Sequence, residues 1–319
     1  MNDLSIAIPS WNTRELLRQC LESVRRSSSG LSVETIVVDN ASSDGSADMV
    51  AAEYPQAKLI RNRTNVGFAA ACNLAFKLSS GRHFLLLNTD TILLDQALKS
   101  LVDFMDAHPG VGAAGCRLLN RDGTLQRSCS CFPSLLTELL DALYLSKLFP
   151  KSRLFGKYSM TYWDFDEVRE VDFVGGSCLI VRREAISQVG LLDESFFMYT
   201  EEADWCYRLR QHGWLVYYYP GARAIHLGGE SAQQCGKDMH LHLYAGRNLF
   251  IRKHRGRSAA AAHRSIVALG AMGRLPVYAA RRVLHRDGAQ VLRFQARLLM
   301  WAIRGHLDQP ISADTEARS

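Results

Sequence analysis

The chain alternates short apolar runs with stretches in which apolar residues recur every three or four positions. "LSIAIPSW" (4–11) reads as a strand. Over residues 13–26, Leu16, Leu17, Cys20, Leu21 and Val24 share one helical face, with Thr13 placed to cap it. "ETIVVDNAS" (34–42) and "AKLIRN" (57–62) predict two further strands, and a helix follows from about Gly67 to Leu78. Residues 83–88 form a strand whose run Phe84–Leu87 is apolar on both faces, the pattern of a strand buried in a parallel sheet. A helix over about 95–107 and a strand at "VGAAGCRLL" (111–119) continue the alternation. Such βαβα order predicts an α/β fold: a mostly parallel sheet with helices on both faces.

The second half is less regular. Residues 134–149 read as helical and "YWDFDEV" (162–168) as a loop. "VDFVGGSCLIVRREA" (171–185) reads as a strand running into a helix, 202–213 as a helix and "WLVYYYP" (214–220) as a strand. From about 247 the chain turns to Arg, Ala and Leu in helical patterns. A helix over about 289–304 would put Val291, Phe294, Leu298 and Trp301 on one face, with Arg293, Arg297 and Arg304 beside it.

Charge sharpens that division. Residues 1–246 carry 24 Lys+Arg against 28 Asp+Glu, and residues 247–319 carry 14 against 4. Two regions follow, an α/β domain over 1–246 and a basic amphipathic helical region over 247–319. Basic amphipathic helices lie on anionic membrane surfaces; the alternative is a helical hairpin packed on the rest of the chain. No apolar stretch reaches the length of a spanning helix. Asp3 is followed directly by a strand, so no signal peptide is expected. The eight cysteines lack CxxC spacing, which fits free thiols in a reducing cytosol rather than a zinc cage. The expected location is the cytoplasm, peripheral on the inner face of the cell membrane.

Three predicted strands end in polar residues: Pro9-Ser10-Trp11-Asn12, Asp39 to Ser46 ("DNASSDGS"), and Asn88-Thr89-Asp90. In a parallel sheet these ends share one edge, where open α/β sheets bind ligands. Asp90 interrupts two apolar runs, so it belongs at the exit of the buried strand, because a buried carboxylate needs a partner. Gly67 at a helix start would let backbone approach a ligand, or Asn65 would simply cap that helix. "GVGAAG" (110–115) matches GxGxxG literally but lies within a strand, so it is no dinucleotide fingerprint. Glu201, Glu202 and Asp204 open a helix behind the apolar run Phe196–Tyr199, more acid than the helix dipole calls for. His226 follows a strand and becomes a candidate metal ligand if it meets Asp90.

These blocks, in this order, resemble the inverting family 2 glycosyltransferases of GT-A fold, and most of all their bacterial rhamnosyltransferase branch. The matching residues are "IPSWN", "VVDNASSDGS", "NVGFAAACNLA", "LLLNTD", "FVGGSCLIVRREA", "FFMYTEEADWCYRL" and "IHLGGES", over roughly 4–250. The resemblance implies a GT-A nucleotide-sugar-binding fold with a Rossmann-like sheet. It places Asn88-Thr89-Asp90 at the family's DxD motif, with Asp90 binding a divalent Mg²⁺ or Mn²⁺ on the donor diphosphate and His226 completing that site. Asp39 would bind the pyrimidine base, with Pro9, Asn12 and Ser42 around the nucleoside and Asn65, Gly67 and Asn73 lining the pocket. Glu202 stands at the place of the catalytic base, with Glu201 as its rival and Asp204 beside them as a third catalytic candidate.

The implied reaction is inverting transfer of a sugar onto a hydroxyl of a saccharide or lipid-linked saccharide acceptor. dTDP-L-rhamnose is the favoured donor and UDP-hexoses the alternative, and nucleic acid is not an expected partner. The acceptor pocket is expected in 125–170 and the tail. A sugar nucleotidyltransferase would want a Gly- and Arg/Lys-rich first loop, which "IPSWNTRELL" lacks. A non-catalytic binding protein on this fold would have no use for Asp39, Asp90, Glu202 and His226 together.

Overall fold

A computed structural model describes residues 2–228, 239–282 and 288–306. By contact the chain forms two compact units, Met1–Phe132 with Asp164–Ser231, and Pro133–Trp163 with Ala232–Ser319. The second unit therefore takes a middle segment as well as the basic tail that charge sets apart at 247.

The first unit is built on one large ten-stranded sheet and a separate two-stranded one. Its strands are β1 (Leu4–Ser10), β2 (Val33–Asp39), β3 (Lys58–Arg61), β4 (His83–Leu87), β5 (Thr91–Leu93), β6 (Val111–Leu119), β7 (Leu125–Gln126), β8 (Cys129–Ser130), β9 (Arg169–Glu170), β10 (Phe173–Val174), β11 (Cys178–Arg182) and β12 (Leu215–His226). The main sheet runs β3-β2-β1-β4-β11-β6-β12-β5. β1, β2, β3 and β4 are mutually parallel, β6 and β12 are parallel, and β11 runs antiparallel between β4 and β6. β4 is buried at every position, as its unbroken apolar run requires. Helices Arg14–Ser27 and Ala97–Ala107 cover the sheet with Leu17, Leu21, Val24, Leu98, Leu101 and Met105, all buried in one core.

Glycines 112 and 115 are small for packing reasons. A Cβ at Gly115 would lie 1.9 Å from Val174 Cγ1, and one at Gly112 would lie 2.7 Å from Trp214 Cβ. The literal GxGxxG is thus strand β6, as its position after a helix predicts.

The second unit is helical. Helix Leu135–Ala142 is closed at its start by a capping box in which Ser134 and Thr137 serve each other's backbone N–H groups. The segment Met239–Arg282 carries a non-helical Gly256 (φ 89°, ψ 172°). Leu241 and Ala271 sit in one core cluster, yet a straight helix would hold them ~45 Å apart at 1.5 Å per residue, so the chain reverses at Gly256. Leu298 and Trp301 of the last helix, Gly288–Arg304, complete that cluster, with Phe294 packed against it. The apolar face that sequence offered to a membrane is therefore largely spent inside the unit. Buried Glu138 accepts from Arg247 at 3.2 Å and lies 3.4 Å from His263 Nε2, an ionic cluster that ties helix Leu135–Ala142 to the reversed segment. All cysteines among the described residues are free thiols. No helix among those residues is long and apolar enough to cross a membrane.

Candidate active site

Parallel pairing puts Ser10 level with Asp39, and β4 runs alongside β1, so the polar strand ends gather along one edge. Asp39 is buried there. Its Oδ2 accepts the Ser42 N–H at 3.0 Å, while its Oδ1 is buried without a hydrogen-bond partner. A buried carboxylate oxygen without a donor is costly and marks a place for an incoming N–H or O–H. Asn12 and the Ser42-Ser43 turn clasp each other: Asn12 N–H donates to Ser42 Oγ at 3.0 Å, and Ser43 N–H donates to Asn12 Oδ1 at 2.8 Å. Asn12 adopts φ 51° to do so. Pro9 lies half-buried just before these groups in β1.

Two details differ from the sequence expectation. Thr13 makes no side-chain cap for the first helix; its hydroxyl instead bonds Thr89 Oγ1 at 3.1 Å. The capping falls to Asp44, whose Oδ2 accepts the Arg14 N–H at 2.8 Å.

The turn after β4 leads straight into β5, and β5 pairs antiparallel with the end of β12, Thr91 level with His226. That pairing brings Asp90 and His226 together. Both are largely buried, with Asp90 Oδ1 3.2 Å from His226 Nε2. On the other side of the ring, His226 Nδ1 lies 2.6 Å from Gln126 Oε1. Gln126, which no sequence pattern singled out, is turned this way because its amide nitrogen donates to the His226 carbonyl at 3.2 Å and to Asn120 Oδ1 at 2.9 Å. The oxygen on Nδ1 favours a proton there, which leaves Nε2 as the nitrogen that faces Asp90. Asn88 turns its amide to Ser177 Oγ at 3.4 Å.

This donor set fits a divalent cation. Asp90 and His226 offer one oxygen and one nitrogen, and no cluster of three or more ligating side chains exists among the described residues. Mg²⁺ and Mn²⁺ sites with one or two protein ligands are completed by water and phosphate oxygens.

The run that carries the acids is held at the start of helix Phe68–Lys77. Gly67 precedes it with φ 84°, its N–H held by Asn65 Oδ1 at 3.0 Å and its carbonyl by Asn40 at 3.3 Å. The space that a Cβ would fill there belongs to Phe197, whose carbonyl accepts the Phe68 N–H at 2.8 Å. The close approach that Gly67 permits is thus to protein backbone. Buried Asn73 is committed the same way: it donates to Leu192 O and Glu194 Oε1, both at 2.9 Å, and accepts the Leu192 N–H at 3.1 Å. Tyr199 and Thr200 then adopt φ 68° and 75°, a strained pair leading into helix Glu201–Gln211.

Glu201 and Glu202 each carry a buried Oε2 without a hydrogen-bond partner. Burial pushes the Glu201 carboxyl well above its ordinary range, with the neighbouring Glu202 charge adding to the effect. Burial likewise raises Glu202 to about 7, against the pull of the backbone N–H groups of Glu202 and Thr200. In the contest between burial and the helix start, burial prevails. Asp204 is different: fully buried, its Oδ2 accepts from Arg208 Nε at 2.8 Å, and Arg208 also donates to Val189 O and Leu191 O. Asp204 anchors the helix and the preceding loop.

The chain belongs to Glycosyl transferase family 2, whose domain matches residues 5–190. It is 30% identical over 224 residues to the N-acetylglucosaminyl-diphospho-decaprenol L-rhamnosyltransferase of Mycobacterium tuberculosis, covering 67% of this chain and 71% of that one. It is 24% identical to the dTDP-rhamnosyl transferase RfbF of Shigella flexneri, covering 68% and 69%. Among solved structures it resembles the mannosyltransferase PcManGT from Pyrobaculum calidifontis in complex with GDP-Man and Mn²⁺. That match has a TM-score of 0.55 at 15% identity and covers 97% of this chain and 88% of the other. The enzyme is a glycosyltransferase of GT-A fold.

Proposed function

We propose that the enzyme transfers L-rhamnose from dTDP-L-rhamnose to a hydroxyl of a saccharide or lipid-linked saccharide, with inversion. The observation that carries the site assignment is Asp90 Oδ1 lying 3.2 Å from His226 Nε2, with Gln126 Oε1 on the other ring nitrogen, a pair that would hold a divalent cation. The rhamnosyltransferase relatives support the donor. Asp39 Oδ1 would accept the imide N–H of thymine, with Asn12 and Ser42 shaping the loop around the nucleoside. A bound Mg²⁺ or Mn²⁺, held by Asp90 and His226, would supply neutralisation of the departing diphosphate.

The chain's own residues do the rest. Glu202 accepts the proton of the acceptor hydroxyl as its oxygen bonds to the anomeric carbon. The bond from that carbon to the diphosphate breaks on the opposite face, so one displacement inverts the centre. Glu201 beside it is pushed well above the ordinary carboxylate range by burial and by the Glu202 charge, so Glu202 is the better placed of the two to act as the base. A donor screen reading released nucleoside diphosphate tests the assignment. dTDP-L-rhamnose should be turned over in preference to UDP-hexoses, and a clear preference for a UDP-sugar rejects it.

The lipid-linked acceptor calls for a membrane-facing surface, and the second unit offers one away from the last helix. Leu136, Leu139 and Leu143 recur at helical spacing and are 48%, 41% and 57% exposed. Leu148, Phe149 and Leu154 follow, exposed and interleaved with exposed Lys147, Lys151, Arg153 and Lys157. Apolar side chains among basic ones fit an anionic lipid surface.

A further inference from the structure

We infer that Gln126 is a positioning residue that holds His226 in its metal-binding form. The inference rests on the reading of Asp90 and His226 as the divalent-ion ligands, and it assigns a function to a residue outside every motif that points to that site.

A neutral imidazole carries its proton on one nitrogen and a lone pair on the other, and the partner of the first decides which nitrogen is free. Gln126 presents an oxygen to His226 Nδ1 at 2.6 Å, and an oxygen there selects the Nδ1–H form. The amide could be reversed only by placing its NH₂ against the ring and its carbonyl against the His226 carbonyl. The existing bonds from Gln126 Nε2 to His226 O (3.2 Å) and to Asn120 Oδ1 (2.9 Å) exclude that. One glutamine thus grips the same histidine twice, by ring and by backbone. The ring cannot swing while the strand end stays in place.

The grip is itself supported. Gln126 lies in β7, paired antiparallel with β6 at Leu118. The intervening turn is closed by Asn120 N–H to Thr124 O at 2.8 Å and Gly123 N–H to Asn120 O at 2.9 Å, with Gly123 at φ 81°. Asn120 also donates to Thr124 Oγ1 at 2.9 Å, which keeps its own Oδ1 turned to Gln126. A short hairpin is therefore built around one hydrogen bond to the far side of a candidate metal ligand. Partners that orient a ligating histidine in this way are worth about 10- to 100-fold in metal affinity.

The test uses the full chain and Mn²⁺ alone, with free Mn²⁺ read by electron paramagnetic resonance and histidine tautomers read by ¹⁵N NMR on metal-free protein. Wild type should show His226 as the Nδ1–H tautomer. Gln126→Leu should weaken Mn²⁺ binding about 10- to 100-fold and release His226 into a mixture of tautomers. Gln126→Glu keeps an oxygen against Nδ1 but loses the donor to the His226 carbonyl and Asn120, so it should restore the Nδ1–H tautomer and recover part of the lost Mn²⁺ affinity, a rescue that a merely structural role would not give. A wild-type His226 in the Nε2–H form overturns the inference whatever the variants do. So does wild-type Mn²⁺ affinity in Gln126→Leu when Asp90→Asn has lost it. If Asp90→Asn itself binds Mn²⁺ like wild type, the metal-site reading fails first, and the role of Gln126 with it.

Discussion

Gly67 and Phe197 leave no room for a side chain between them: a Cβ on Gly67 would stand 2.4 Å from the Phe197 carbonyl oxygen. This contact fastens the run that carries Glu201 and Glu202 to the start of helix Phe68–Lys77, so a constraint on packing also bears on where those acids stand. Gly67→Ala should cost about 3 kcal/mol or more, since it adds a backbone clash to a left-handed φ. Gly45→Ala is the control. Gly45 has φ +80° but only Arg14 Nη1, at 3.6 Å, near its would-be Cβ, so it should cost about 1–2 kcal/mol. Urea denaturation of both variants measures the difference, and equal losses would separate Gly67 from the acids.

Glu202 gives a stability test that needs no substrate. Its folded-state pKa is raised to about 7, so above the ordinary glutamate range the folded protein pays for a buried charge. Stability from this group is fully present below the unfolded pKa and is lost as pH rises towards 7. Glu202→Gln removes that cost. The variant should melt higher than wild type at pH 8 and level with it at pH 4, measured by thermal scans at both values. A variant that melts lower at pH 8 would contradict the burial.

The same shift predicts the pH dependence of the reaction. A base must be unprotonated to act, so kcat/KM should fall as pH drops through about 7. In Glu202→Gln the residual rate should lose this limb.

Asp204→Asn should act on the fold. It strips the buried charge that Arg208 is paired with at 2.8 Å, a change worth about 3–5 kcal/mol. Nucleotide affinity of the folded fraction should stay near wild type, as titration calorimetry would show.

Much of the sheet and its functional edge is legible in the chain, because strands buried on both faces leave unbroken apolar runs and their exits leave polar ones. Asp39 and Asp90 each stand where such a run stops, while Glu202 opens a helix behind a loop. Asn73 and Gly67 are legible as special positions, but not as partners of Leu192 and Phe197, because long-range backbone contacts leave no local pattern. Gln126 carries no signal at all: a lone glutamine in a short hairpin is unremarkable until His226 is placed beside it. The tail shows the opposite failing. Its helix reads as amphipathic, but amphipathicity does not say what covers the apolar face, and here Leu298 and Trp301 pack with Leu241.

The proposed contact with anionic lipid is testable on the whole protein. Each basic residue near anionic lipid contributes about 1 kcal/mol. Full-length protein should float with anionic vesicles and not with neutral ones. Leu148→Glu with Phe149→Glu should abolish flotation while leaving the melting temperature unchanged, since both side chains are more than half exposed. Undiminished flotation would move the contact elsewhere.

The most direct test of the account is turnover by Glu202→Gln beside wild type, with nucleotide affinity measured on the same preparations. The substitution keeps shape and removes the proton acceptor, so turnover should fall by about 10²–10⁴-fold with nucleotide binding nearly unchanged, and Glu201→Gln should lose less. Near-normal turnover in Glu202→Gln, with Glu201→Gln inactive, would contradict it.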